Sequence, residues 1–256
     1  MMFKKQRFFQ NNNSTFFSLL FVLLGCEIIQ AQQIAPLNRQ YNIELERSLY
    51  TKGNSVHTGM KPYIETFTFC DSIYRLEQDK FIKRKRENYV SRKLFQENFI
   101  NLNKDELILT IDPVLNVFIG KNIISDTNYF TNTRGILVKG NIGSNFSFNT
   151  GFAESQSYLP EYVASYTKSY EVVPGQGRAK SFKNKGFDYA IAQGSVSYSF
   201  LKHYNVQVGH GKNFVGDGYR SLLLSDNAFN YPFAKIMANF KRFQYSTIYS
   251  SLQLIN

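Results

Sequence analysis

The sequence predicts a mainly β fold: the first strands of an antiparallel outer-membrane β-barrel, preceded by a small helical segment. Three observations predict it. The amino terminus is built like an export signal, apolar residues recur at every second position from residue 105 onward, and the connections between these segments alternate short and long. Composition agrees, with 24 Phe, 17 Tyr and no Trp in 256 residues. Phe and Tyr favour strands and populate the aromatic girdles at barrel rims.

Lys4, Lys5 and Arg7 form a positive n-region, and Phe16–Gly25 follows as an uncharged apolar stretch too short to span as a helix. Ala31 before Gln32 suits signal-peptidase cleavage, which makes 1–31 a signal peptide. The competing reading is a lipoprotein box, Leu23-Leu24-Gly25-Cys26, with Cys26 lipidated; a bulky Leu two positions before the cysteine fits such boxes poorly. Loss of Lys4, Lys5, Arg7 and Glu27 lowers the formal charge from +11 to about +9. That excess suits anionic lipid or acidic glycan, and an exported chain is not expected to meet nucleic acid. Cys70 alone cannot support a disulfide framework.

Residues 32–104 read as a partly helical periplasmic segment. Arg39–Tyr50 and Ser72–Leu102 carry apolar residues at helical spacing, and the basic run Lys80–Arg86 reads as a solvated helix face. From Asp105 the period becomes two, so 105–256 is expected to hold the first strands of the barrel. Leu107, Leu109, Ile111, Leu115, Val117 and Ile119 share one parity, and Pro113, which cannot donate to a ladder, places this strand at an edge or seam. Further strands are expected near 129–142, 144–153, 189–200, 204–211, 233–241 and 243–255. In 189–200 Ala190, Ala192, Val196, Tyr198 and Phe200 alternate with Gln193, Ser195, Ser197 and Ser199, one face for lipid and one for a polar lumen. A soluble sandwich would show the same alternation. Seven strands is an odd number, and 243–255 would end at the outer rim, so the barrel is expected to be incomplete within these residues.

Little points to chemistry. His57, His203 and His210 lack partners at metal-ligand spacing, and no metal or cofactor is expected. Ser221 or Ser225 with His210 and Asp226 could be drawn as a triad, but no nucleophile elbow surrounds either serine. The Gly209–Gly218 run lacks the Lys-Ser/Thr end of a phosphate loop. Tyr158, Tyr162, Tyr166 and Tyr170 recur every four residues with Pro160 as an early helical residue, which predicts a helix with a tyrosine stripe; the stripe would pack on the barrel wall or stack on sugar rings.

Residues 209–233, GHGKNFVGDGYRSLLLSDNAFNYPF, resemble the RemB family of gliding-motility outer-membrane barrels and, more distantly, the capsule-assembly Wzi family. The matching positions are Gly209, Phe214, Gly216, Gly218, Ser221, Leu222, Leu224, Ser225, Asn227 and Ala228; Phe214 stands where the Wzi pattern usually has Trp. The likeness to the gliding proteins also takes in His57–Tyr63, Val173–Lys180 and Phe187–Ser199. It implies a non-enzymatic outer-membrane barrel that binds or organises surface polysaccharide and supports gliding motility or capsule assembly, with outer-membrane lipid, surface polysaccharide and gliding or secretion machinery as partners. A porin-like channel and an outer-membrane hydrolase are the alternatives. The candidate glycan or lumen-loop residues are Lys212, Asp217, Arg220, Asp226, Asn227 and Arg178, whose donors and acceptors suit hydroxyls and carboxylates. Asp217 and Arg220 are also the groups expected to tie the loop into the lumen.

Overall fold

The computed structural model describes residues 57–64, 88–95, 97–104, 106–123, 126–201, 203–240 and 243–252, with single positions 43, 46, 47 and 50. The expected signal peptide, Cys70 and the basic run Lys80–Arg86 lie outside the described residues. In chain order the elements are β1 Met60–Lys61, α1 Tyr89–Phe95, β2 Ile100–Lys104, β3 Leu107–Asn122, β4 Thr127–Ile142, β5 Phe146–Tyr158, α2 Glu161–Tyr170, β6 Val172–Val173, β7 Gly177–Phe182, β8 Gly186–Phe200, β9 Tyr204–Gly211, β10 Phe214–Val215, β11 Tyr231–Phe240 and β12 Phe243–Ser250.

The main sheet is antiparallel and runs β12-β11-β9-β8-β5-β4-β3-β2, with β7 beside one end of β8 and β6 paired to β7. The seven expected strands are all present as β3, β4, β5, β8, β9, β11 and β12. Among the described residues β12 pairs only with β11 and β2 only with β3, so the ladder is open at both ends. No helix among the described residues is long and apolar enough to cross a membrane, which says nothing of crossing by strands.

Several boundaries differ from expectation. Ile100–Leu102, the end of the stretch expected to be helical over Ser72–Leu102, belongs to strand β2; within that stretch the described helix is α1 alone. Its five residues, INLNK, put Ile100 and Leu102 opposite Ile111 and Leu109, which is period two in a run too short to reveal it. Tyr158 ends β5 instead of starting the helix, and Pro160 sits one position before the first helical residue with φ −53 and ψ 146. Proline disfavours the α region in the residue before it, so Leu159 could not continue a helix. The long connection over Glu154–Asp188 therefore holds the end of β5, α2, β6 and β7.

Pro113 behaves as its chemistry requires. β2 stops opposite Ile111, so the missing N–H of Pro113 faces no ladder on that side, and the Phe99 amide donates to Asp112 Oδ1 at 2.8 Å beside it. The register of β12, unreadable from alternation, is fixed by β11: Tyr245, Thr247 and Tyr249 stand opposite Ala238, Ile236 and Ala234.

Directly opposed residues share a face of a sheet, so the ladders assign every strand position to one side. One side carries Ser147, Ser197, Asn205, Gln207 and Lys235, each 1% exposed or less. The other carries Phe152, Val196, Val208 and Ile236, all exposed. The sheet is thus inverted relative to a water-soluble one, with its polar face buried and its apolar face open. One row of the open face reads Leu107, Ile142, Phe146, Tyr198, Val206, Ile236 and Thr247 across seven strands.

The buried face is wired internally. Asn205 Nδ2 donates to Ser197 Oγ at 2.7 Å and Ser199 Oγ at 2.8 Å, and Ser195 Oγ donates to Asn149 Oδ1 at 2.8 Å. Tight connections lie at one end, where Phe200, Tyr204 and Phe240 cluster with ring centroids 5.5 and 5.8 Å apart. The long connections lie at the other end, where Val173, Ala179, Phe187 and Tyr189 form an apolar core under Leu159 and Ala164.

Close packing of β4 on β5 makes a test. A Cβ at Gly135 would stand 2.2 Å from Phe152 O and 2.7 Å from Ala153 Cα, both backbone. Gly135→Ala is expected to destabilise the chain by about 1–3 kcal/mol through overpacking. Gly59→Ala, with nothing within 4 Å, should stay within about 0.5 kcal/mol. Denaturant midpoints of the two variants check the contrast.

Candidate functional site

The residues singled out in 209–233 lie where three distant segments meet. β1 pairs with β10 in a separate two-stranded sheet, Met60 opposite Val215 and Lys61 opposite Phe214. The Gly216 amide donates to Gly59 O at 2.8 Å. Gly216 has φ +118, a conformation that L side chains rarely adopt, and this turns the loop back onto β1.

Lys61 is the centre of this contact. Its Nζ donates to Thr58 O at 3.1 Å and Gly216 O at 2.9 Å, and pairs with Asp217 Oδ1 at 3.1 Å and Glu46 Oε1 at 3.0 Å. Its side chain is 6% exposed, and the Tyr63 and Phe214 rings lie 5.5 Å from Nζ. A cation so far out of water needs every one of these partners. Tyr63 donates its hydroxyl to Glu46 Oε1 at 2.8 Å; burial, then that bond, push its pKa well above the usual phenol range.

A second knot joins the two long connections. Lys212 Nζ donates to Gly175 O at 2.5 Å and to Asp226 O at 3.0 Å, and burial lowers its pKa, with Asp226 opposing. Gly175, at φ +71, lies so close to the partner loop that a Cβ there would meet Asn227 Oδ1 at 3.0 Å. Ser225 Oγ donates to Asp226 Oδ1 and accepts from the Asn227 amide, which shapes the turn.

The six expected site residues therefore divide. Lys212, Asp226 and Asn227 come together at Gly175. Arg220 pairs with Asp226 at 3.3 Å and stacks on the Tyr219 ring at 4.8 Å, both in exposed surroundings. Asp217, expected with Arg220 to tie the loop, belongs instead to the Lys61 cluster. Arg178 stands apart, exposed on β7. Sequence reasoning missed Lys61 and Glu46 as partners of the loop, although His57–Tyr63 was already among the stretches carrying the family resemblance.

The residues drawn as a triad have other partners. Ser221 Oγ donates to Val215 O, Ser225 Oγ to Asp226, and His210 Nδ1 is bonded to Ala192 O at 3.3 Å on the open face of β9. Among the described residues no group of three His, Cys, Asp or Glu could hold a metal ion. The tyrosine stripe, expected to pack on the wall or stack on sugars, faces outward: Tyr162, Tyr166 and Tyr170 are 79, 45 and 52% exposed.

No family model, curated protein or solved structure matches the chain.

The Lys61 cluster yields a ranking. Lys61→Met leaves Glu46, 16% exposed, with Tyr63 alone and Asp217, 51% exposed, to water, and is expected to cost about 1–3 kcal/mol. Arg220→Ala removes an exposed pair and should cost about 1 kcal/mol or less. Limited proteolysis within 216–230 should accelerate sharply in the first variant and little in the second.

Proposed function

We propose that this chain is the wall of an outer-membrane β-barrel whose long-loop end binds or organises surface polysaccharide, in support of gliding motility or capsule assembly. The observation that carries the membrane part is the inverted sheet. Water would drive Phe152, Val196, Val208 and Ile236 inward and leave Ser197, Gln207 and Lys235 outside; lipid against the apolar face reverses that preference. Over Ala190–Phe200 the outward row spans ten residue steps, roughly 34 Å along the strand, and a tilt near 40° brings it to about 26 Å, close to the apolar band of a membrane barrel. The Phe200, Tyr204 and Phe240 cluster at the tight-turn end suits a girdle on the periplasmic side, which puts the long loops outside.

The polysaccharide and motility part rests on the resemblance of 209–233, 57–63 and 173–180, three stretches that lie at or beside the same end of the sheet. The loop after β9 is latched through Lys61 to Asp217 and through Lys212 to Gly175, which holds its polar side chains as a fixed surface, as binding requires. A hydrolase draws no support from Ser221 or Ser225, whose hydroxyls are engaged away from His210. Partners are outer-membrane lipid, surface polysaccharide and gliding or secretion machinery, not nucleic acid.

Membrane fractionation, heat-modifiable mobility and surface biotinylation of intact cells at Lys180 and Lys183 test the reading; recovery in the soluble periplasmic fraction would sink it. Within the full protein, Val196→Arg is expected to weaken folding into lipid vesicles by about 2–4 kcal/mol. Gln193→Arg, on the other face of the same strand, should change it little. Equal effects at the two positions would remove the lipid-facing assignment.

A further inference from the structure

We propose that α2 and the β6–β7 hairpin form a binding face for acidic, uronate-bearing polysaccharide, separate from the 209–233 loop; this rests on the polysaccharide reading above and adds a site and a charge class. The helix is anchored by one side and presents the other. Thr167 is buried and Ala164 packs on the core of Val173, Ala179, Phe187 and Tyr189, which holds Tyr162, Tyr166 and Tyr170 outward. Rings four residues apart rise about 6 Å along the axis, and the Tyr166 and Tyr170 centroids are 4.6 Å apart with planes at 35°. An amphipathic helix ordinarily turns aromatic area to the core, so three exposed rings in a row mark a contact surface. Ring faces accept the C–H faces of pyranoses, provided hydroxyl partners lie alongside. Such partners line a groove of about 590 Å³ beside Tyr162, between α2 and the facing ends of β3 and β4: Asn122, Tyr129, Glu161 and Ser165.

Charge flanks the ridge, with Arg178 and Lys180 beyond Tyr170 and Lys183 and Lys185 in the turn beside Tyr158. Between residues 168 and 188 stand five exposed cations, Lys168, Arg178, Lys180, Lys183 and Lys185, against two carboxylates, the exposed Glu171 and the half-buried Asp188 opposite Lys180. None of the five cations has an ion pair among the described residues. Val172 pairs with Arg178, and the Ala179 amide donates to Glu171 O at 2.7 Å, so Arg178 and Lys180 stand beside the chain as it leaves Tyr170. Elsewhere at this end the cations Lys61, Lys212 and Arg220 are already engaged. Solvated lysines alone are ordinary; unpaired cations continuous with an aromatic ridge match a polymer that offers both sugar faces and carboxylates.

Binding of full-length protein in detergent micelles to polygalacturonate and to uncharged dextran tests this. Polygalacturonate should bind more tightly than dextran and weaken as salt shortens the Debye length. Tyr162→Ala/Tyr166→Ala/Tyr170→Ala and, separately, Arg178→Gln/Lys180→Gln/Lys183→Gln should each lose about tenfold or more in affinity for polygalacturonate. Heat-modifiable mobility verifies folding; if the triple tyrosine variant fails that check, Tyr162→Ala alone, the most exposed ring, replaces it and should lose about threefold or more. Unchanged polygalacturonate affinity in the variants, or dextran bound as tightly, overturns the acidic site and leaves the polysaccharide reading standing. Wild-type protein that binds neither polymer overturns both.

Discussion

Everything between Leu107 and Ser250 depends on strand register. Side chains alternate with a period of two, so a slip of one residue in any ladder would turn Ser197, Gln207 and Lys235 onto the open face and carry Val196, Val208 and Ile236 into the interior. The polar interior is what makes the slip costly. Asn205 reaches two serine hydroxyls on β8, and Asn149 Oδ1 accepts from both the Ser195 hydroxyl and its amide at 2.8 and 3.1 Å. These bonds run across strands and discriminate registers in a way that apolar contacts do not. Backbone approach adds to them, because β8 presses so closely on β9 that a Cβ at Gly209 would stand 2.5 Å from Gly194 O.

Much of this was legible in the sequence, for a physical reason. Long strands with one apolar and one polar face write their period plainly, and the alternation of β8 was legible over 189–200, though not its first three residues Gly186–Asp188. Short strands do not: INLNK in β2 is only five residues, and β6, β1 and β10 are two each. Local chemistry was readable where one residue dominates it. Pro113 marked an edge, while the start of α2 was set too early at Pro160, which stands one position before the first helical residue and bars Leu159 from the helix.

The site was legible only in part, since its contacts are not local. Lys212, Asp226 and Asn227 are close in sequence, and their shared loop was anticipated. Their docking onto Gly175, and the pairing of Asp217 with Lys61 across 156 residues, leave no periodic trace. Charge content also misled. Asp217 and Arg220 were expected to tie the loop together, yet each has a different partner, and among the described residues Lys168, Arg178 and Lys180, on α2 and β7, have no ion pair.

The joining of β1 to β10 also constrains the order of assembly. Among the described residues no other paired strands are separated by as much of the chain, and the loop that carries β10 joins β9 to β11. Closing so large a loop draws its reward last, after the local hairpins have formed. By contact order, the seating of residues 57–64 on the loop after β9 is expected to follow the local hairpins, so the burial of Lys61 and Tyr63 comes with the completed strand order and not before it.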